Sequence, residues 1–196
     1  MGCVSPVGFD VGETHEALIR LRKFGFTPAD LTRIAESDEV AQKVVEALRG
    51  GVYPITVDYS MTLEQMIAAG RYDWVNSNIT PEHYPLVGSG TVTLDAQLVH
   101  YGRDMSSEAV LADLDQKGLR SATIAELLAF GAKYPELQRQ FPIVELGSVA
   151  GVGGGRRVAY LDRCDRRRGL DLRWFDRGWL ARSRFLAFRK SQPSDT

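Results

Sequence analysis

The sequence predicts an α+β protein, in which a small helical module precedes a body made of helices followed by strands. Helical patterns fill the first fifty residues. After residue 90, one strand and two helices are followed by four strands. The last of these strands, residues 184–189, is apolar on both faces and is therefore typical of a strand inside a sheet.

Three short helices are predicted at the start of the chain. The first covers residues 13–24 and has apolar side chains at helical spacing. Thr27 followed by Pro28 is typical of the start of a second helix, because threonine caps helices and proline favours their first position. Ser37 begins a third helix, which Gly50 ends.

These helices define the first of three predicted segments, a three-helix module over residues 1–51 that could dock on its neighbour or on another protomer. A helix-turn-helix that binds DNA is disfavoured, because the second and third helices are acidic. Residues 52–90 are predicted to be a linker and loop, in which residues 52–59 are a connecting strand or a linker and Thr62 with Gln65 forms a capping box for a short helix. Residues 91–190 form the predicted body.

The body begins with residues 91–101, where apolar and polar side chains alternate as in a half-buried strand. Ser106 starts the first helix of the body, and Thr123 with Glu126 forms a capping box for the second. The four remaining strands are predicted at residues 143–149, 158–161, 170–174 and 184–189. Pairing of the last strand with the first would close the domain.

Composition limits the class of protein. The chain is 44% apolar and 25% charged, as in ordinary globular proteins, and no segment approaches the roughly 20 apolar residues that span a bilayer. No basic region followed by an apolar core opens the chain, so we expect no signal peptide and a cytoplasmic or virion-associated protein. Two cysteines and three histidines lie far apart, so we expect no disulfide, metal or cofactor.

Charge is distributed unevenly along the chain. Residues 156–190 carry eleven Arg and one Lys against four Asp, a balance of +8, whereas residues 1–155 balance at −8. This asymmetry favours a basic surface that meets an acidic partner. The same arginines, with nearby aromatic residues, leave open an alternative function in nucleic-acid binding. The interspersed aspartates disfavour that alternative, because they would repel phosphate.

Two motifs that resemble catalytic or nucleotide-binding sites have simpler interpretations. The glycine-rich residues 151–155 lead into a strand, whereas a phosphate-binding loop opens a helix, so a hairpin connection is predicted. Ser148 has no histidine or glycine elbow near it, and Glu145 and Asp95 show no sign of acting as an acid/base pair. We therefore do not expect an enzyme.

The last quarter of the chain interleaves large apolar residues with unpatterned ones. Leu170, Leu172 and Trp174 alternate with other residues, so one face of this strand is predicted to be buried and the other exposed. An orderly core beneath irregular exposed residues favours a binding surface. The candidate ligand-binding residues are Asp162, Arg163, Asp165, Arg166, Arg167, Arg168, Asp171, Arg173, Phe175, Asp176, Arg177, Leu180, Ala181, Arg182 and Ser183.

Several segments in order carry a family resemblance, namely ATIAELLAFGAKYPELQRQFPIVELGSV, VAYL, GLDLRWF, a lone Trp179 and RFLAFRK. Over about residues 59–190 the chain resembles the variable proteins of diversity-generating retroelements, of the kind seen in uncultured bacteria and archaea and their viruses. The resemblance implies a C-type-lectin-like fold whose terminal strands pair. The calcium-ligating signatures of true lectins are absent, so sugar binding is not implied.

The resemblance also implies how the irregular residues arise. In that family, error-prone reverse transcription at template adenines rewrites a C-terminal cassette, here about residues 156–189, and converts AAC codons to NNC. Such codons never encode Lys, Glu, Gln, Met or Trp, and none of these five occurs among the candidate residues. The expected function is a ligand-binding display protein that recognises varied macromolecular targets, with an unknown protein or other macromolecule as its partner.

Overall fold

A computed structural model describes residues 11–48 and 50–190, and its backbone divides into two compact units, Met1–Gly50 and Gly51–Thr196. The helices and strands of the described residues are α1 (Val11–Lys23), α2 (Pro28–Glu36), α3 (Asp38–Leu48), β1 (Val52–Asp58), α4 (Leu63–Gly70), β2 (Trp74–Val75), β3 (Thr91–His100), α5 (Ser107–Gln116), β4 (Leu119–Ser121), α6 (Ile124–Lys133), β5 (Ile143–Val144), β6 (Ala150–Val152), β7 (Gly155–Cys164), β8 (Arg167–Trp174) and β9 (Arg184–Arg189). A turn of 3-10 helix, Leu137–Arg139, lies between α6 and β5.

The first unit consists of the three predicted helices, and two of them begin at the predicted caps. At the start of α2, Thr27 Oγ1 accepts a hydrogen bond from the backbone N–H of Asp30 at 3.3 Å, and Asp30 Oδ2 accepts one from the backbone N–H of Thr27 at 2.9 Å. At the start of α3, Ser37 Oγ accepts from the N–H of Val40 at 3.3 Å. Among the side chains of this unit that the structure describes, none is buried.

The second unit is built on a sheet of nine strands, counted over residues 50–190. Neighbouring strands follow the order β1-β3-β9-β5-β7-β8-β2, while β4 pairs with β9 and β6 pairs with β7. Most neighbours are antiparallel; β5 with β9 and β2 with β8 are parallel. Helices and a mixed sheet together confirm the predicted α+β class.

The terminal strand β9 lies inside the sheet, as its two-sided apolar pattern predicts. It pairs with β3 from Ala96↔Phe188 to His100↔Arg184, and β5 lies on its other side. On one face, Leu186 and Phe188 share a buried cluster with side chains of α4 and α6. On the other face, Phe185 and Ala187 share a second cluster with side chains of α5. The final strand therefore stabilises both layers of the unit.

Of the two interpretations left open for residues 52–59, a connecting strand or a linker, the structure shows a strand, so their assignment to a linker is wrong. All seven residues of β1 pair with β3, and Tyr53, Ile55 and Val57 are buried. Pro54 obscured this strand in the sequence, because proline is excluded from central strands; β1 lies at the edge of the sheet, where proline is tolerated. The predicted helix within this segment is α4, whose cap pairs Thr62 with Gln65. The segment therefore belongs to the second unit.

Candidate functional site

The predicted binding residues lie on the hairpin of β7 and β8 and on the segment that follows it. The register pairs Val158 with Arg173 and Tyr160 with Asp171, and Val158 and Tyr160 contact the cluster under α5. Side chains alternate along a strand, so every second residue of β7 shares one face of the hairpin with its partner in β8. We call this the display face, defined by Tyr160, Asp162, Cys164, Arg167, Asp171 and Arg173.

The centre of the display face is a carboxylate held by two neighbours. Asn76 Nδ2 donates to Asp171 Oδ1 at 2.8 Å, and the hydroxyl of Tyr160 donates to Asp171 Oδ2 at 3.3 Å. Burial and the nearby Asp171 raise the pKa of Tyr160, so its hydroxyl remains a donor at neutral pH. Asp171 is therefore fixed in place, unlike an ordinary surface aspartate.

An indole joins the display face to the segment beyond β8. Trp179 is buried, and its ring packs edge-on against Tyr160 with centroids 6.0 Å apart. The guanidinium of Arg173 lies 5.4 Å from the centroid of the same indole and donates to the carbonyl of Gly178 at 3.2 Å. Trp179 thus forms a rigid apolar support beneath the half-buried Arg173.

Residues 176–183, which we call the tethered loop, are held mainly through their backbone. Met105 and Trp179 exchange N–H···O=C hydrogen bonds of 3.0 and 2.8 Å. The N–H of Ala181 donates to Asp104 Oδ1 at 2.9 Å, and its carbonyl oxygen lies 2.8 Å from the Nε2 of His100. The side chains of this loop that point to solvent are those of Asp176, Arg177, Leu180 and Arg182.

The β7–β8 hairpin is held in the same way from the opposite end. Gln138 Nε2 donates to the carbonyls of Asp162 and Gly169 at 2.8 and 3.2 Å. Arg139 donates to the carbonyl of Arg166 at 2.7 Å. The contacts of Gln138 Nε2 and Arg139 are made to main-chain oxygens, so they do not depend on the exposed side chains of the hairpin.

Arg168 is not a surface residue, and its assignment to the ligand-binding set is wrong. It is 5% exposed, and its guanidinium donates to the carbonyls of Gly70 and Gly131 at 2.8 and 2.9 Å and to Gln138 Oε1 at 2.9 Å. Those carbonyls lie in the last turns of α4 and α6, where unpaired C=O groups favour a cation. Arg168 shares strand parity with the buried Leu170, a signal that the sequence contained.

Phe175 and Ser183 are also buried, each 4% exposed, so neither can contact a ligand directly. The ring of Phe175 belongs to the cluster under α5, and the guanidinium of Arg156 lies 4.4 Å from its centroid. Trp174, which the alternation placed in the core, is only half-buried, with the guanidinium of Arg157 3.7 Å from its ring centroid. Phe175 lies in the cluster that contains Val158, whereas Leu170 and Leu172 belong to the other core cluster.

The remaining twelve predicted residues are exposed or half-buried, and they form two groups along β8. The hairpin tip carries Arg163, Asp165, Arg166 and Arg167, and the tethered loop lies beyond the other end of the strand, roughly 23 Å away at 3.3 Å per residue. The other three, Asp162, Asp171 and Arg173, lie between the two groups. These residues thus form an extended surface along the β7–β8 hairpin and the tethered loop.

Several arginines of residues 156–190 are already engaged within the protein, so the exposed surface is less basic than the net charge of this region suggests. Arg156 forms ion pairs with Asp176 and, at 3.5 Å, with Glu108. Arg157 is stacked on Trp174, and Arg168 is buried. The exposed surface therefore carries separated arginines mixed with aspartates.

Sequence reasoning missed the residues that support this surface from outside the last quarter of the chain. Asn76 fell in the segment predicted to be a loop, and Gln138 and Arg139 in a short turn of helix.

None of the described helices is both long and apolar enough to cross a membrane. Comparison of the chain with protein-family models, with curated proteins and with solved structures finds no match to any of the three.

Proposed function

We propose that the chain is a ligand-binding display protein that recognises a macromolecule through the display face, the hairpin tip and the tethered loop. One observation carries this proposal. The irregular exposed side chains stand on two segments whose contacts with the rest of the unit are made largely by backbone atoms. A surface of this kind can exchange side chains without losing its shape, as a rigid binding site requires.

The arrangement of the second unit supports a C-type-lectin-like fold for this body. A strand, β3, precedes two main helices, α5 and α6, and the strands that follow end in β9, which returns to pair with β3. The hairpin of β7 and β8 lies on the far side of β5 from this closure. The ends of the body therefore meet, and the hairpin is free to carry a binding surface.

We further propose that a retroelement diversifies this surface. The twelve exposed or half-buried candidate residues all belong to the set that NNC codons encode. Trp174 and Trp179, which lie between candidate residues in the sequence but are not candidates themselves, cannot be encoded by NNC, and both support neighbouring arginines. Asp171 is the candidate least suited to replacement, because Asn76 and Tyr160 both bind its carboxylate.

The chemistry of the exposed residues favours a protein epitope with acidic groups. Arg167, Arg177 and Arg182 are exposed, and an arginine forms strong bidentate hydrogen bonds with carboxylates. Aspartates lie among them, whereas a surface that binds nucleic acid through its phosphates carries mostly cations. Arginine on a rigid backbone is also typical of the residues that dominate interface energy.

Two libraries test the display function. The first randomises five positions of the proposed surface, Arg167, Arg173, Arg177, Leu180 and Arg182. The matched control randomises five positions on the polar face of β1 and β3, Thr56, Thr91, Thr93, Asp95 and Gln97. We expect the first library to stay folded and to yield specific binders against a panel of immobilised unrelated proteins, at a frequency clearly above that of the control.

Equal yields from both libraries, or widespread unfolding in the first, would contradict the proposal. The unmodified chain should bind unrelated oligonucleotides only weakly near physiological salt. Tight binding to random DNA or RNA that falls steeply as salt rises would instead favour the nucleic-acid alternative, because such binding releases counterions.

A further inference from the structure

The first unit exposes large apolar side chains that its own helices do not cover. Phe24 is 89% exposed and Leu48 79%, and four others are between 39% and 46% exposed, namely Ile19, Leu21, Leu31 and Val45. None of the side chains described in residues 12–48 is buried. A set of helices with no interior cannot draw its stability from its own packing.

The short lengths of the three helices also indicate that the unit needs a packing partner. The three helices have 13, 9 and 11 residues, and isolated helices of this size are marginal in water, since their stability comes mainly from packing an apolar face. Leu18 and Leu21 of α1 and Phe24, directly after it, recur at intervals of three. Val40, Val44 and Leu48 recur at intervals of four along α3. Each stripe is an apolar surface that needs a partner.

The charges beside these stripes indicate which partner fits. The last turn of α1 carries Arg22 and Lys23, whereas Glu36 ends α2 and Asp38 opens α3. One unit therefore carries both a basic and an acidic group. In a two-fold interface the same patch is used by both copies, so the basic group of one chain can meet the acidic group of the other twice.

We propose that the first unit is a self-association module, through which two copies of this chain pair the apolar stripes of α1 and α3 and match their charged ends. The proposal concerns residues 11–48 alone and does not depend on the function of the display face. Its occupant is a second copy of the chain, because the unit supplies both halves of the charge match.

Sedimentation equilibrium of the full chain tests the apolar part. We expect a particle of twice the 21.7 kDa chain mass at micromolar concentration, and a single-chain mass for Phe24→Asp combined with Leu48→Asp. Val87→Asp is the matched control, because Val87 is an apolar side chain of the second unit that is 80% exposed, and it should leave the dimer intact. A wild-type chain that stays monomeric, or a double variant that still dimerises, would overturn the proposal.

A charge exchange identifies the occupant. Arg22→Glu with Lys23→Glu should give monomers, and so should Glu36→Lys with Asp38→Lys, because like charges then meet at both contacts. Mixing the two variants in equal amounts should restore a particle of two chains, since opposite charges meet again. Circular dichroism checks that both variants keep their helices. A mixture that remains monomeric would show that the charged ends do not meet across two copies and would overturn the proposal.

Discussion

The indole Nε1 of Trp179 donates a hydrogen bond of 2.9 Å to the hydroxyl of Ser107, and this hydroxyl donates one of 2.7 Å to the carbonyl of Phe175. Ser107 opens α5 and is completely buried. One hydroxyl of the body thus holds the end of β8 and the middle of the tethered loop. The position of the proposed binding surface depends on this contact.

Ser107→Ala should destabilise the second unit by about 2 kcal/mol, because it leaves the indole N–H of Trp179 without its buried acceptor. Trp179→Phe removes that donor. In a double-mutant cycle measured by urea unfolding, Trp179→Phe should therefore cost less in the Ser107→Ala background than in the wild type. Additive losses would show that the two side chains are not coupled.

Arg168 and its neighbour Arg167 provide a matched pair of substitutions. Arg168→Ala should lower the free energy of unfolding by about 3 kcal/mol, because the last carbonyls of α4 and α6 lose their shared donor. Arg167→Ala, at an exposed position of the same strand, should change it by less than about 0.5 kcal/mol. Thermal unfolding measures both losses. Equal falls in the midpoint temperature of the two variants would contradict the structural role of Arg168.

Gly131 should not tolerate alanine, although alanine is the better helix former. A Cβ on Gly131 would lie 2.3 Å from the hydroxyl oxygen of Tyr72 and 2.8 Å from a methyl group of Leu161, so the substitution should cost about 1–3 kcal/mol through overpacking. Gly151→Ala is the control, because nothing lies within 4 Å of the added Cβ.

Tyr72→Phe extends this test. The Tyr72 hydroxyl is buried and has no hydrogen-bond partner within the described residues, so its removal should be neutral or stabilising. In the Gly131→Ala background it should recover part of the lost stability, because the closest clashing atom is gone. A thermal midpoint that falls further would contradict the close approach of these two residues.

Glu145 should make stability depend on pH. Burial raises the pKa of its carboxyl to about 8, from an ordinary value of 4.5, although the backbone N–H groups of Ser148 and Ala159 donate to it. Between these two values the folded chain binds more protons than the unfolded chain. The free energy of unfolding should therefore fall as pH rises through this window, and recover as pH is lowered again.

Urea unfolding between about pH 5 and about pH 8 measures this dependence. In the wild type we expect a loss of stability on the order of several kcal/mol across the window. Glu145→Gln cannot ionise, so its stability should be nearly flat across this window. If the variant keeps the wild-type slope of unfolding free energy against pH, another group causes the pH dependence.

Local signals in the sequence predicted much of the body. The capping box of Thr62 and Gln65 marked the start of α4, because the two residues satisfy each other's backbone groups without help from distant residues. The two-sided apolar pattern of residues 184–189 placed β9 inside the sheet for the same reason. Properties that depend on a strand's own residues could be predicted.

Properties that depend on distant partners could not. Pro54 left the choice between strand and linker open for β1, because its place at the sheet edge depends on β3. The three residues of β4 have a role only beside β9. Arg168 looked like part of a basic run, because the carbonyls that bind it lie on α4 and α6, far away in sequence. The parity of β8 alone could have separated it from its neighbours.

The most direct test of the proposed function is to sequence this gene and its flanking region in many cells of one population. The account predicts a nearby reverse-transcriptase gene and a non-coding near-copy of the segment for about residues 156–189, with mismatches at template adenines. Differences between cells should fall in codons for exposed positions such as Arg163, Arg177 and Arg182, while those for Leu172 and Trp179 stay unchanged. A locus without either element, or differences spread evenly along the gene, would contradict diversification of this surface.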